Sequence, residues 1–445
     1  MQRELAPRAG TSGVEFLGAG AVPSAYAVTD FAAAAVAVAG LSIVRLLEAA
    51  GHEPPALTVD RTLAAAWFEG SLRPEGWQPP PAWDVLAGDY ETADGWVRLH
   101  TNAPHHRDAA LRALGVPAER DTVAAAVRRL RAEHVESVVV EAGGCAAALH
   151  CVEEWEEHPQ GLAVGAEPLV ALERAAASPA PSGWFPEPGR PLAGIRVLDL
   201  TRVLAGPVAT RILAGYGAEV LRIDPPAWDE AVVPETTLGK RCARLDARSR
   251  RGQATLKQLL AQADVLVHGY RPGALGRLGL GVHERESIAP GLVDVSLDAY
   301  GWSGPWSGRR GFDSLVQMST GIADAGRRWA ESGRPVPLPF QALDQATGYL
   351  MAAAAIHGLT QRLVRGSGLR ARCSLARTAH LLVTEASGEA IEPALDLAGA
   401  PVSDEPELTP WGQARRVRPP LAIAGAPLHW DLPATTLGSS PPLWR

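Results

Sequence analysis

The residues Ala205-Gly206-Pro207 stand between an apolar run and the opening of a helix. Backbone amides left free at such a helix start can meet an anion, and small side chains leave room for a pyrophosphate or a pantetheine arm against the backbone. The dinucleotide fingerprint GxGxxG is absent from this loop, which speaks against NAD-dependent dehydrogenase chemistry. Three further loops share its density of Gly and Pro: 224–230, 268–279 and 298–305. His105-His106 has no acid at metal-binding intervals, and Cys145, Cys151, Cys242 and Cys373 form no CxxC pair, so no metal centre and no disulfide framework are expected. Sparse cysteines point to a reduced, cytoplasmic setting.

The elements that must position these loops alternate in type. IRVLDL (195–200) reads as a buried strand, VATRILAGYG (208–217) as a helix closed by glycines and AEVLRID (218–224) as a second buried strand. A helix near 250–262 and strands at 264–270 and 292–301 continue the pattern. Repeated βαβ units imply right-handed crossovers and a Rossmann-like parallel sheet, with the loops gathered at the strands' carboxyl ends. The fold class expected is therefore α/β, a large parallel-sheet domain with a small α+β domain beside it.

That small domain is read from residues 87–174. DYETADGWVRLH predicts a hairpin about Asp94-Gly95 within 87–100. Helices are expected at 108–115, closed by a glycine, and at 121–134, followed by a short β-rich run in ESVVVEAGG (136–144) and an Ala-rich helix near Trp155. Residues 1–86 hold a long Ala-rich helix at 24–50, stopped by Gly51 and Pro54-Pro55. A Pro/Gly linker occupies 175–190, the Rossmann-like domain 191–400, and a segment returning to it 401–445.

Composition sets outer bounds. The 445 residues carry 42 Lys+Arg and 49 Asp+Glu, a net charge of −7, with no basic block of the kind that neutralises nucleic-acid phosphates. A 47% hydrophobic content is enough to build cores. The longest apolar run, Phe31 to Val44, is shorter than the roughly 20 residues of a membrane-spanning helix. The opening MQRELAPR has no apolar stretch behind its charges, so no signal peptide and no membrane partner are expected.

Five ordered segments carry a resemblance: GIRVLDLTRVLAGPVATRILAGYGAEVLRIDPP (194–226), LGKRCARLD (238–246), ADVLVHGYRPGALGRLGL (263–280), SLDAYGWSGP (296–305) and RGFDSLVQMSTGI (310–322). Together they resemble the family III CoA-transferases, the group of formyl-CoA transferase and carnitine CoA-transferase, over about residues 191–383. The resemblance implies that family's fold and an acyl-CoA:carboxylate CoA-transferase working through a covalent aspartyl-CoA thioester. It places the nucleophile in PVPLPFQALDQATGYLMAAAAIHGL (335–359), at Asp344. A helix start would keep that carboxylate ionised through free amides, although an Asp there is also an ordinary helix N-cap. Coenzyme A or acyl-CoA enters as substrate, with no permanently bound cofactor. Its contacts are implied at Arg202, Val203, Leu204 and Ala205, at Gly269, Tyr270, Arg277 and Leu278, at Lys240, and at Tyr300 beside the active site. The implied partners are an acyl-CoA, a carboxylic acid and a second copy of the chain in a homodimer.

The family also holds acyl-CoA racemases, whose proton-moving His corresponds to Phe312 here; phenylalanine moves no proton, so an isomerase is the alternative and a non-catalytic CoA-binding homologue a further one. The segment order departs from the family's: small-domain-like text precedes the Rossmann half, as a permutation or a partly deleted duplication would give. VTDFAAAAVAVAGLSIVRLLEAAG (28–51) resembles ALDQATGYLMAAAAIHGLTQRLVRG (342–366), which sets Asp30 in a nucleophile-like position. No glycine-rich flap is evident, and the stretch with Trp302 and Trp306 is the candidate cover.

Overall fold

The computed structural model describes residues 13–177, 184–226, 229–385 and 393–445. Its centre is a seven-stranded sheet of β1 (Ala171–Ala177), β2 (Arg196–Leu200), β3 (Glu219–Asp224), β4 (Lys240–Arg244), β5 (Val265–His268), β6 (Val293–Asp298) and β7 (Ser367–Ser374). The spatial order is β4-β3-β2-β5-β6-β7-β1, parallel throughout except for the edge strand β1 against β7. Val197, Val265, Val267, Val293 and Val295 enter one core, and Leu198, Leu200, Leu221 and Leu266 another. That split by alternate residues is what a strand covered on both faces requires. Strand order reverses between β2 and β5, and the loops leaving them part to form a crevice at the carboxyl edge.

Four helices matter for the site: α1 (Val28–Ala49), α2 (Pro104–Leu114), α3 (Ala205–Gly215) and α4 (Ala342–Arg365). α4 lies against α3, β6, β7 and α1, so its buried alanines line a close-packed centre. A Cβ on Gly348 would stand 2.6 Å from the Ala205 carbonyl oxygen, so only glycine permits this approach of α4 to α3. α1 has 22 residues and is, by length and composition, long and apolar enough to cross a bilayer, more than its uninterrupted apolar run suggests. Most of its surface is instead buried inside the fold, along α4.

The small sheet pairs Gly88–Glu91 with Trp96–Leu99, the expected hairpin, and adds Ala146–Ala148. α2 closes at Gly115 with φ 66°. Two local readings are corrected here. The helix expected over 121–134 is split into Arg120–Val127 and Ala132–Glu141, and the second piece absorbs the run read as β-rich. Val135 and Val139, four apart, share its buried face, and that packing overrides the β preference of valine. The strand comes later, at Ala146–Ala148, and a short helix of Val152–Glu157 follows it. The tail is anchored on the large sheet's flanks, where the Trp430 indole donates to the Arg211 carbonyl (2.8 Å) and the Trp444 indole to the Leu259 carbonyl (3.0 Å).

Candidate active site

The loop 201–204 connects β2 to α3, and charge holds it in place. Glu230 accepts from Arg202 Nε at 2.7 Å and from the Val203 amide at 3.3 Å, while Arg222 donates to its other oxygen at 3.0 Å. Val203 sits at φ 66°, a left-handed conformation that costs a β-branched residue roughly 1–3 kcal/mol. Gly206 is obligatory for the same turn, since a Cβ there would lie 2.4 Å from the Thr201 side chain.

Two adjoining cavities open at the crevice. The smaller, about 330 Å³, surrounds Asp344 and is lined also by Arg202, Val203, Ala205, Gly269 and Tyr270. The larger, about 1110 Å³, runs outward over β3 and β4 and includes Arg248, Arg277 and Leu278. Arg202, Tyr270, Arg310 and His105 belong to both.

Asp344 is the third residue of α4, and its side chain does not cap the helix. The N-cap is Gln341, and the Asp344 amide is satisfied by Asp313, which accepts it at 2.9 Å. The Asp344 carboxyl is 7% exposed. Burial raises its pKa well above the usual carboxylate range and the neighbouring Asp313 raises it further, against a lowering hydrogen bond from the Ala205 amide. Asp313, wholly buried, is itself pushed up to about 6, chiefly by desolvation. The expectation that helix amides keep Asp344 ionised is therefore corrected: desolvation and a like charge outweigh one amide. Two carboxyls this close titrate as a pair, the first proton leaving far more readily than the second.

The opposite wall comes from α2. His106 is 6% exposed with an unpartnered Nδ1, and burial lowers its pKa to about 3, so its imidazole is neutral at physiological pH. His100 stacks on Phe312 with ring centroids 3.7 Å apart, and His106 meets the same ring edge-on. Imidazoles thus reach position 312 from the small domain, about 200 residues away in sequence. A His-His pair beside Pro104 at a helix start was the only signal in the sequence, and it reads as a metal question. Arg271, Arg310, Asp298 and Asp313 also join the site unannounced. Asp298, with its carboxyl raised to about 7 by burial, accepts from the Tyr300 and Gly301 amides.

Three implied CoA contacts lie elsewhere. Lys240 is 1% exposed and donates to Asp199 at 3.1 Å and to the Pro207 carbonyl at 2.8 Å, a buried pair beneath the loop that keeps it from a phosphate. Leu204 packs into the core. Tyr300 is fully buried behind the cavity, its hydroxyl 3.1 Å from Ser319 Oγ and its ring under Arg309. Trp302 and Trp306 do not cover Asp344 either: the Trp302 indole is tied to the Cys373 carbonyl, and Trp306 packs among Trp155, His158 and Tyr300. His268 faces Asp294 at 3.3 Å in a neighbouring cavity, and His357 is half-buried on α4.

Residues 192–406 match CoA-transferase family III. An acyl-CoA transferase of Gibberella moniliformis is 30% identical over 401 residues, covering 80% of this chain and 70% of the relative. The chain belongs to CoA-transferase family III. Other family relatives match over less of their length. An acetyl-coenzyme A transferase of Hypoxylon pulicicidum is 32% identical over 65% of the chain and 53% of its own length. The succinyl-CoA:glutarate CoA-transferase of Mus musculus is 36% identical over 42% and 45%. The chain thus spans about half the length of these two family members. A solved structure of Rv3272 from M. tuberculosis matches 45% of the chain and 58% of that protein, at 31% identity and a TM-score of 0.42.

Proposed function

We propose that the chain is an acyl-CoA:carboxylate CoA-transferase that works through an aspartyl-CoA thioester on Asp344. The observation that carries this reading is the buried Asp344 carboxyl in the smaller cavity, adjoining a larger one at the ends of β2 and β5. The larger cavity suits CoA: Arg248 and Arg277 line it for the phosphates, and Tyr270 offers a ring for adenine. The family's named acyl-CoA and succinyl-CoA transferases support group transfer as the reaction class.

The chemistry follows from a poorly hydrated carboxylate, which has little water to shed before it attacks. Asp344 adds to the thioester carbonyl, the C–S bond breaks and CoA thiolate leaves, giving a mixed anhydride. Thiolate then attacks the aspartyl carbonyl, the donor carboxylate departs with the C–O electron pair, and aspartyl-CoA thioester remains. An acceptor carboxylate displaces the thiolate to form a second anhydride. The thiolate then takes the acceptor's acyl group and Asp344 is restored. Incubation with a panel of acyl-CoAs followed by hydroxylamine should leave a hydroxamate on the peptide containing Asp344, read by mass spectrometry. Protein that binds CoA yet yields no adduct with any donor rejects the covalent step.

A second reading rests on the placement of His106, an imidazole on the wall of the cavity that holds Asp344, where an isomerase would move an α-proton, although burial that lowers its pKa to about 3 makes it a weak base. Deuterium uptake into a single acyl-CoA, without any acceptor acid, would select it. A CoA-binding protein without activity would show neither adduct nor exchange.

A further inference from the structure

The loop that brings the Ala205 amide to Asp344 is fixed at both ends and strained in the middle. At its start, Asp199 on β2 accepts from the Thr201 amide at 2.9 Å and from the Thr201 hydroxyl at 2.5 Å. At its end, the Leu204 carbonyl accepts the Val208 amide at 2.8 Å, and Gly348 brings α4 against the Ala205 carbonyl oxygen. Between them Val203 stands at φ 66°, and among the described residues Glu331 is the one other non-glycine residue with a positive φ. A β-branched residue stays in that conformation only where its surroundings over-determine the turn.

Glu230 supplies the constraint. One of its oxygens accepts both Arg202 Nε and the Val203 amide. Because φ is rotation about the N–Cα bond, a partner on the Val203 amide fixes the peptide plane ahead of that bond, while the start of α3 fixes the planes behind it. Glu230 is itself held: its other oxygen accepts from Arg222, which is wholly buried on β3 and also donates to Asp224 from Nη2 at 2.9 Å. Two guanidiniums and two carboxylates thus balance in charge behind the loop. Glu230 lines neither the Asp344 cavity nor the larger one beside it, so it reaches the site through the backbone alone.

We propose that Glu230 is a positioning residue for Asp344: it holds Val203 in the left-handed turn, and that turn aims the Ala205 amide at the Asp344 carboxyl. The catalytic consequence rests on the transferase reading; the clamp on the turn does not. Without Glu230, Val203 relaxes to a negative φ, the peptide planes after it rotate, and Asp344 loses a hydrogen bond that favours its ionised form. The charged and titratable groups that face Asp344 from other elements keep their places: Asp313, Asp298 at the end of β6, His105 and His106 on α2, and the guanidiniums of Arg271, Arg309 and Arg310.

The test is CoA exchange by the full chain, with the carboxylate and the turn varied separately. Glu230→Gln should lower the rate near pH 7 on the order of tenfold, and the deficit should narrow to within about threefold near pH 9, since a carboxyl that holds its proton more tightly still ionises at higher pH. A general loss of structure lowers the rate alike at both. Val203→Gly has its own effect as a wall residue, but glycine takes the turn without penalty, so in that background Glu230→Gln should change the rate by less than about twofold. If the glutamine variant does not fold, Glu230→Asp, which keeps the charge beside Arg222 and falls one methylene short of the loop, carries the same comparison. A deficit that is the same with valine and glycine at 203, or the same at both pH values, overturns the proposal. Urea unfolding separates the two claims. A wild type with no exchange and no Asp344 hydroxamate from any donor defeats the transferase reading, and the clamp is then decided by stability. Val203→Gly relieves strain only while Glu230 enforces the turn, so it should lower the urea midpoint less in the wild type than in Glu230→Gln; equal losses overturn the clamp.

Discussion

α1 and α4 pack side by side, and each carries an aspartate as its third residue, Asp30 and Asp344. Each is followed by a strand and a helix, Leu57–Asp60 with Arg61–Glu69 in one case, β7 with Leu375–Glu385 in the other. The two carboxylates nevertheless live in opposite environments. The Asp30 side chain is 58% exposed and accepts from Arg61 at 2.6 Å. Asp344 is buried, faces another carboxyl and opens onto a cavity. A helix start thus supplies position; exclusion of water and the sign of the neighbour set how tightly each carboxyl holds its proton.

The largest break in this symmetry is expected in activity. Asp344→Ala should lower CoA exchange on the order of 10⁴-fold or more, while Asp30→Ala changes it by less than about twofold, in steady-state assays. If Asp30→Ala matches Asp344→Ala, the comparison is wrong.

Next is pH. Exchange needs an ionised Asp344, whose pKa burial and Asp313 hold well above the usual carboxylate range, so the rate should fall with decreasing pH from a point above that range. Asp313→Asn removes the like charge and should move that acidic limb about one unit lower. Stability runs the other way. A carboxyl whose folded pKa is raised stabilises fully below its unfolded pKa, and that contribution is lost as pH rises through the folded value. Above about pH 6.5, where the buried neutral His100 and His106 no longer add the opposite slope, the thermal unfolding midpoint should therefore decline towards pH 8, with a shallower decline in Asp313→Asn.

Packing sharpens the comparison at smaller scale. A Cβ on Gly348 meets the Ala205 carbonyl oxygen at 2.6 Å, whereas one on Gly40 of α1 meets the tip of the Leu57 side chain at 2.8 Å. Backbone cannot give way and a leucine end can. Gly348→Ala should cost about 1–3 kcal/mol in urea denaturation. Gly40→Ala should come near neutral, because about 1 kcal/mol of helix propensity offsets the shift. The smallest effect belongs to the Asp30–Arg61 pair: Asp30→Asn should change stability by about 0–1 kcal/mol, and less at high salt.

The sheet was legible because strands buried on both faces leave unbroken apolar runs such as IRVLDL, and their alternation with helices admits few topologies. Motif order singled out Asp344, which lines the smaller cavity at the crevice. The Val138–Val140 run misled because local β preference carries no record of the tertiary face that Val135 and Val139 fill. The imidazoles beside Phe312 and the Asp313 carboxyl beside Asp344 were hidden for another reason: they meet across the fold, and one sequence contains no distances. Lys240 shows the converse. A lysine after a glycine in a matching segment suggested a phosphate, and a buried partner, Asp199, had already claimed it.

The pairing of α1 with α4 also sets a timetable. About 300 residues separate the two helices, so at roughly 5–20 residues per second the ribosome finishes α4 some 15–60 s after α1. Although α1 can already pack on Leu57–Asp60 and Arg61–Glu69, throughout that interval its α4-facing side has no permanent partner, and closing so long a loop comes late in folding. The nascent chain therefore has a defined period of vulnerability, during which α1 is a natural client for a chaperone that holds apolar helices.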